Sequence, residues 1–323
     1  MPFARLKAAT TPTAHIGLGL AAVGRPGYIN LGRDRDLPAE RTPEMLLERT
    51  HELLDAAYAQ GVRYFDAARS YGRAEAFLSD WLRARPAVQD VVIGSKWGYT
   101  YTADWRTDAE VHEVKDHGVA TFERQRTETG MLLGERLDLY QIHSLTAGSP
   151  ALTDTALHAR LAELAAGGVT IGFSTSGPDQ ADTIRAALDV TVDGSPLFGT
   201  VQSTYNLLDT AAGDALEEAH EAGLTVIVKE AVANGRLAGP AAPAPLRDIA
   251  EETGATPDAV ALAAVLCRPW AGVVLSGAAT TAQLSANLHA AVVDLGQEQL
   301  DRLGELGEEP AAYWQQRAKL PWS

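Results

Sequence analysis

Apolar runs of strand length alternate along the chain with segments whose apolar residues recur at helical spacing, the signature of repeated strand-helix units. The runs predict strands at His15–Val23, Arg63–Ala68, Val91–Trp97, Asp138–Ser144, Thr170–Thr175, Thr200–Tyr205, Thr225–Glu230 and Gly272–Gly277. The intervening segments predict amphipathic helices at Pro43–Gln60, Glu75–Arg85, Val119–Leu133, Thr155–Ala166, Pro178–Leu188, Ala211–Ala222, Pro257–Arg268 and Thr280–Val292. Gly61, Gly134, Gly167 with Gly168, and Gly223 stand where helices give way to strands, which calls for left-handed caps. Parallel strands need crossover helices and two covered faces. The pattern therefore predicts an α/β fold over residues 1–323, a (β/α)8 TIM barrel with C-terminal extension. An open doubly wound sheet fits less well, because the glycine-rich GLGLAAVG lacks the GxGxxG spacing that opens a dinucleotide-binding helix. From about residue 297 to 323 a short helix and a tail are expected to pack near the barrel mouth.

Composition narrows the partners. Hydrophobic residues form 46% of the chain, ample for one large core, and no apolar run approaches the ~18 residues of a membrane span. The start MPFARLKAATTPTAH lacks the apolar centre of a secretory leader. The single cysteine, Cys267, cannot form an internal disulfide, which suits a reducing, cytoplasmic setting. The formal net charge of −15 argues against nucleic acid and anionic membrane surfaces. No metal site is expected.

The candidate chemistry lies in FDAARSYG, GSKWGY, LYQIHS and VQSTYN, which put Asp66, Tyr71, Lys96, His143 and Gln202 at the ends of successive predicted strands. In a parallel barrel every strand's carboxyl end opens on one mouth, so these residues are expected to converge. A phenol has a pKa near ~10, and a cation beside it favours its ionised form. Lys96 is the candidate cation, and a buried ammonium needs a carboxylate such as Asp66. A carbonyl oxygen held by Tyr71 and an imidazole nitrogen of His143 would be polarised toward hydride attack. No side chain supplies hydride, so a nicotinamide cofactor is implied. Taken singly, Asp66 also reads as a turn former, Tyr71 as a surface aromatic, Lys96 as a snorkelling strand end and His143 as a core histidine.

With these residues in view, the chain resembles an aldo-keto reductase from about Gly17 to about Asn287. The resemblance rests on DAARSYG, on the lysine of IGSKWG and on the histidine of DLYQIH, in order and each at its own strand end. It implies a catalytic tetrad of Asp66, Tyr71, Lys96 and His143, a small carbonyl or alcohol substrate, and NADP(H), with NAD(H) as a further cofactor. Reduction of an aldehyde, ketone or sugar carbonyl is the leading reading. The others are alcohol or aldose dehydrogenation, a redox-neutral reaction on the same scaffold, and a cofactor-sensing subunit.

The cofactor half departs from the family pattern. Ser174 and Thr175 stand where the family has Ser-Asn against the nicotinamide carboxamide, while Gln202 matches the family's glutamine. After strand seven, Lys229 and Glu230 replace a stacking aromatic and its successor. A lysine stem can cover a ring face while its ammonium reaches an anion. Alternation along a strand predicts that Lys229 and Glu230 face opposite sides and do not pair. For the adenosine end the resemblance implies Ser276, Gly277, Thr280, Gln283 and Asn287, with Ala279 and Gln283 standing where NADPH-preferring members carry basic residues. Losing those cations is expected to weaken the preference for NADPH.

The substrate wall is less defined. The long segment after strand three contributes Trp97 and Tyr99, the first loop Tyr28, and the tail Trp314. Aromatics of the loop and of the tail also read as local packing, and those of the tail as a contact in a homo-oligomer.

Overall fold

The computed structural model describes residues 3, 6, 11–32, 36, 37 and 40–322. Of the first ten residues only Phe3 and Leu6 are described, so most of the start expected to lack a secretory leader lies outside the described residues. Eight parallel strands close into a barrel: β1 (Ile16–Gly19), β2 (Tyr64–Asp66), β3 (Val92–Trp97), β4 (Leu139–Leu145), β5 (Thr170–Thr175), β6 (Thr200–Thr204), β7 (Thr225–Lys229) and β8 (Ala271–Ser276). Each strand pairs with its successor and β8 returns to β1 with Ile16 opposite Val274, as a (β/α)8 barrel requires.

The crossover helices are α1 (Pro43–Ala59), α2 (Ala74–Ala84), α3 (Val119–Leu133), α4 (Thr155–Ala166), α5 (Gln180–Leu188) and α6 (Gly213–Glu221). Between β7 and β8 lie two helices, α7 (Ala244–Thr253) and α8 (Pro257–Leu266), and after β8 comes α9 (Thr281–Leu288). Helix α7 is not among the helices expected from the sequence. Proline at its start is tolerated because the first helical N–H groups have no partner in the helix. The tail holds two helices rather than one, α10 (Gln297–Gly304) and α11 (Pro310–Ala318). The long segment after β3 is a hairpin, with Tyr99–Tyr101 antiparallel to Glu113–Lys115. At the α4 end the positive φ falls on Gly168 alone, while Gly167 closes the helix in ordinary helical geometry.

Period-two alternation divides the strands into two faces. One set, including Tyr64, Val92, Leu139, Ile227, Val273 and Leu275, forms the apolar filling of the barrel. Continuing the same faces toward the carboxyl ends gives Asp66, Lys96, His143, Gln202 and Lys229. The opposite set, including Phe65, Ile93, Trp97, Tyr140, Phe173 and Val201, packs under the helices. The barrel thus carries its apolar residues low and its polar residues at the mouth, a direct consequence of where each strand ends.

Glycine makes room for the filling. A Cβ on Gly94 would sit 2.4 Å from the Tyr64 hydroxyl oxygen, and that hydroxyl donates to Asp66 Oδ1 at 3.0 Å. Gly94→Ala is therefore expected to cost about 1–3 kcal/mol by overpacking, read as a fall in thermal unfolding midpoint. An unchanged midpoint would show that Tyr64 has slack.

Candidate active site

Asp66 is the hub of the mouth. It ends β2, is almost fully buried, and every oxygen it has is engaged. Lys96 Nζ forms an ion pair with Oδ2, while Tyr64 and Gln202 Nε2 donate to Oδ1 at 3.0 and 2.9 Å. Lys96 also donates to the Ala67 carbonyl at 3.0 Å. A buried ion pair needs such completion to offset its desolvation.

Tyr71 lies in the turn after β2, with Lys96 Nζ 4.9 Å from its ring centre. The expectation that Lys96 would lower the phenol's pKa is corrected. Burial and the Asp66 carboxylate push the Tyr71 hydroxyl well above the usual tyrosine range, with Arg25 pulling the other way. Asp66 offsets the lysine's charge, so burial decides the direction. The phenol keeps its proton until a stronger base forms beside it.

His143 faces Tyr71 edge-on, ring centres 5.5 Å apart, and Tyr99 packs on its other side at 5.1 Å. Burial pulls its pKa well below the usual imidazole value, reinforced by the charges of Lys96, Lys229 and Arg25. The ring is neutral at ordinary pH, and Ser70 Oγ lies 3.4 Å from Nδ1.

These residues open on a cavity of about 650 Å³ that continues from Asp66, Tyr71 and His143 past Gln202 and Lys229 to Ser276, Gly277, Gln283 and Asn287. Its size falls within the ~300–1,000 Å³ of small-ligand sites. Tyr28 and Tyr99 stand on its wall, as their positions in the first loop and the hairpin suggest. Trp97 and Trp314 do not, which corrects their assignment to the pocket. Lys96 points inward, so its strand neighbour Trp97 points outward, against Phe122 of α3 at 5.0 Å. Trp314 lies with Tyr313 on the buried face of α11, 5.7 Å ring to ring. The tail instead contributes Arg317, Leu320 and Trp322.

Two cofactor candidates on β5 are also elsewhere. Thr175 faces the helix layer, where its hydroxyl meets Ser203 Oγ at 2.8 Å and donates to Gln180 Oε1 at 3.2 Å. Ser174 is fully buried and accepts the Ser144 N–H at 2.8 Å. At the far end, Asn287 donates to Ser276 Oγ at 2.8 Å, and Gln283 Oε1 accepts the Ala279 N–H at 2.9 Å. Thr280 caps α9 by accepting the Gln283 N–H at 3.2 Å and stands off the cavity wall.

Lys229 and Glu230 correct the expectation that they stay apart. Strand β7 stops at Lys229, and Glu230 turns to φ +58°, which breaks the alternation and brings Nζ within 3.8 Å of Oε1. The stronger partner of Glu230 is Arg317 of α11, which holds it through two nitrogens. Burial works to raise the Glu230 carboxyl, but Arg317 and Lys229 hold it down at about 2. Lys229 donates to Thr204 Oγ1 at 2.7 Å, and burial draws its pKa down to about 8 against the pull of Glu230.

Sequence reasoning missed Arg25, Glu113 and His117. Arg25 donates to Glu113 Oε2 at 2.8 Å and to the Ser70 carbonyl at 2.9 Å, with its guanidinium 5.4 Å from the Tyr71 ring centre. The only signal was proximity in sequence to Tyr28. His117 had none, since its partners come from a different strand and loop.

The described residues contain no helix long and apolar enough to cross a membrane and no cluster of metal-binding side chains. The profile of the Aldo/keto reductase family matches residues 16–308. The chain is 24% identical over 345 residues to Aldo-keto reductase str7 of Strobilurus tenacellus, covering 96% of this chain and 93% of that protein. It is 29% identical over 220 residues to Pyridoxal 4-dehydrogenase of Microbacterium luteolum, covering 58% of this chain and 62% of that one. Among solved structures, an aldo-keto reductase from Klebsiella pneumoniae in complex with NADPH superposes with a TM-score of 0.67 at 21% identity, over 92% of this chain and 93% of that one. A holo aldo-keto reductase from Bacillus halodurans gives 0.68 at 20%, over 91% and 92%. A match spanning all eight strands of the barrel, on a chain that closes that barrel strand by strand, makes this protein a member of the aldo/keto reductase family.

Proposed function

We propose that the protein reduces an aldehyde, ketone or sugar carbonyl using NADPH, with Tyr71 as general acid. The observation that carries this reading is the meeting of a buried phenol, a neutral imidazole and a Lys96–Asp66 ion pair on one continuous cavity.

The cavity runs from Tyr71 and His143 to Ser276 and Asn287 and offers polar groups suited to a nicotinamide dinucleotide. Gln202 lines it with an amide oxygen that accepts no hydrogen bond among the described residues, suited to the carboxamide. At the other end Gly277 leaves open space where a side chain would stand, beside Ser276, Gln283 and Asn287. The bound nicotinamide supplies hydride. The protein's own contribution is to receive negative charge on the carbonyl oxygen: Tyr71 donates its proton there, and His143 donates a hydrogen bond without carrying charge. The imidazole tautomer that donates from Nε2 is the one in which Ser70 donates to Nδ1. Burial strengthens both interactions.

Consumption of reduced nicotinamide with a panel of aldehydes and ketones tests the reading, which fails if none is turned over by folded protein. The dehydrogenase direction is a second reading, supported by the similarity to Pyridoxal 4-dehydrogenase. It predicts faster turnover with oxidised cofactor and alcohols or hemiacetals.

Cofactor preference is expected to be shallow. The Ala279 N–H is already taken by Gln283, and neither position brings a cation to a 2′-phosphate. Titration with NADPH and NADH should give dissociation constants less than about a thousandfold apart, roughly 4 kcal/mol. A wider gap would show phosphate recognition by other groups.

A further inference from the structure

His143 does not simply end a regular strand. Ile142 pairs with Phe173 and Leu145 with Thr175, so His143 and Ser144 together oppose Ser174 alone, a β-bulge in the barrel ladder. Ser144 sits at φ +53°, in the left-handed region that a non-glycine residue occupies only when its surroundings hold it there. The peptide between the two has left the ladder, and side chains from two other elements take its polar groups. His117 Nε2 lies 2.8 Å from the His143 carbonyl. The Ser144 N–H donates to Ser174 Oγ at 2.8 Å.

The His117 ring is fixed in turn. A carbonyl only accepts, so Nε2 carries the hydrogen. Nδ1 therefore accepts from Ser149 Oγ at 2.6 Å. Burial holds the His117 pKa down at about 4, which keeps that acceptor available. Gly98, at φ +105°, lets the ring approach: a Cβ there would lie 2.5 Å from Cδ2 and 2.9 Å from Nε2. Trp97 packs on the ring at 5.9 Å, and both His117 and Ser174 are buried.

We infer that His117 and Ser174 are positioning residues that hold the bulged His143–Ser144 peptide and thereby aim the His143 imidazole at the carbonyl oxygen. The inference builds on the reductase reading above. Without the clamp, the peptide would be free to return toward the regular ladder. In a period-two strand a one-residue slip sends a side chain to the opposite face, and a misplacement of about 1 Å can cost roughly a hundredfold in rate.

The test compares His117→Phe, which keeps a ring and loses the donor, with His117→Gln, which keeps a donor, and with Ser174→Ala. His117→Phe and Ser174→Ala are expected to lower kcat for carbonyl reduction by roughly ten- to a hundredfold, with KM and NADPH dissociation constant changed less than about threefold. His117→Gln should recover much of the loss. In a His143→Ala background the same two substitutions should have almost no further effect on residual turnover, because they act through the ring already removed. Equal losses in both backgrounds, or an unchanged kcat in a folded variant, would overturn the inference. If His117→Phe does not fold, the Ser174→Ala cycle decides alone. Histidine-selective nitrogen-15 spectra give a readout independent of turnover. The His143 ring signals should move in His117→Phe even if the wild type reduces no carbonyl on the panel, and unmoved signals would refute the clamp while leaving the reductase reading intact.

Discussion

Replacing Tyr71 by Phe is expected to lower carbonyl reduction by about 10²–10⁴-fold, the range general acid catalysis supplies, while leaving the NADPH dissociation constant within about twofold. The substitution removes one oxygen and keeps the ring that packs edge-on against His143 and lies over Lys96. No protein hydrogen bond of the phenol oxygen is lost among those that define the mouth. Burial has already raised the phenol's pKa, so under the proposed reading its proton stays in place across the ordinary pH range for the alkoxide to take. Single-turnover measurement with prebound NADPH separates chemistry from binding. Turnover surviving at more than about a tenth of wild type would remove Tyr71 from its assigned role.

Replacing Lys96 by Met should have the largest effect on stability. Lys96 is completely buried and its ion pair partner Asp66 nearly so. Removing one member of such a pair strands a charge in a low dielectric and costs about 3–5 kcal/mol. Tyr64 and Gln202 remain on Oδ1, so the loss is expected toward the lower end. The paired change Lys96→Met with Asp66→Asn removes both charges and should restore most of the stability, measured by denaturant unfolding, without restoring reduction. If the double variant is no more stable than Lys96→Met, the ion pair is not what the single change disrupts.

Much of the barrel was legible because strand ends and helix periods are local properties. Asp66, Lys96, His143 and Gln202 could be placed at one mouth from strand order alone, since inward and outward faces alternate with fixed period. The same rule, applied one residue further, would have sent Trp97 outward and Thr175 to the helix layer. The resemblance to family positions led to the mouth for Thr175, and the aromatic character of Trp97 led to the pocket wall. What sequence could not show depends on departures from regular geometry. The bulge at His143–Ser144 and the turn at Glu230 both break alternation. One recruits Ser174 to a backbone group, and the other lets Lys229 approach its neighbour. The direction of the Tyr71 shift was hidden for a different reason: it depends on how far Asp66 offsets Lys96, a balance of burial and distance. Helix α7 was not expected, although Pro243 and Pro245 stand only at its start, where proline is tolerated.

The Arg25–Glu113 contact joins the loop after β1 to the hairpin after β3, and Arg25 also reaches Ser70 and lies over the rings of Tyr71 and Trp322. Loops around a barrel mouth are commonly treated as exchangeable parts, each grafted independently to redirect an enzyme toward new compounds. Here two of them share one charge pair that abuts Tyr71. A chimaera that imports a foreign hairpin would take Glu113 from Arg25 and change the field at Tyr71 along with the shape of the pocket. Redesign of this mouth therefore has to move those loops as a pair, or supply a new carboxylate with the incoming one.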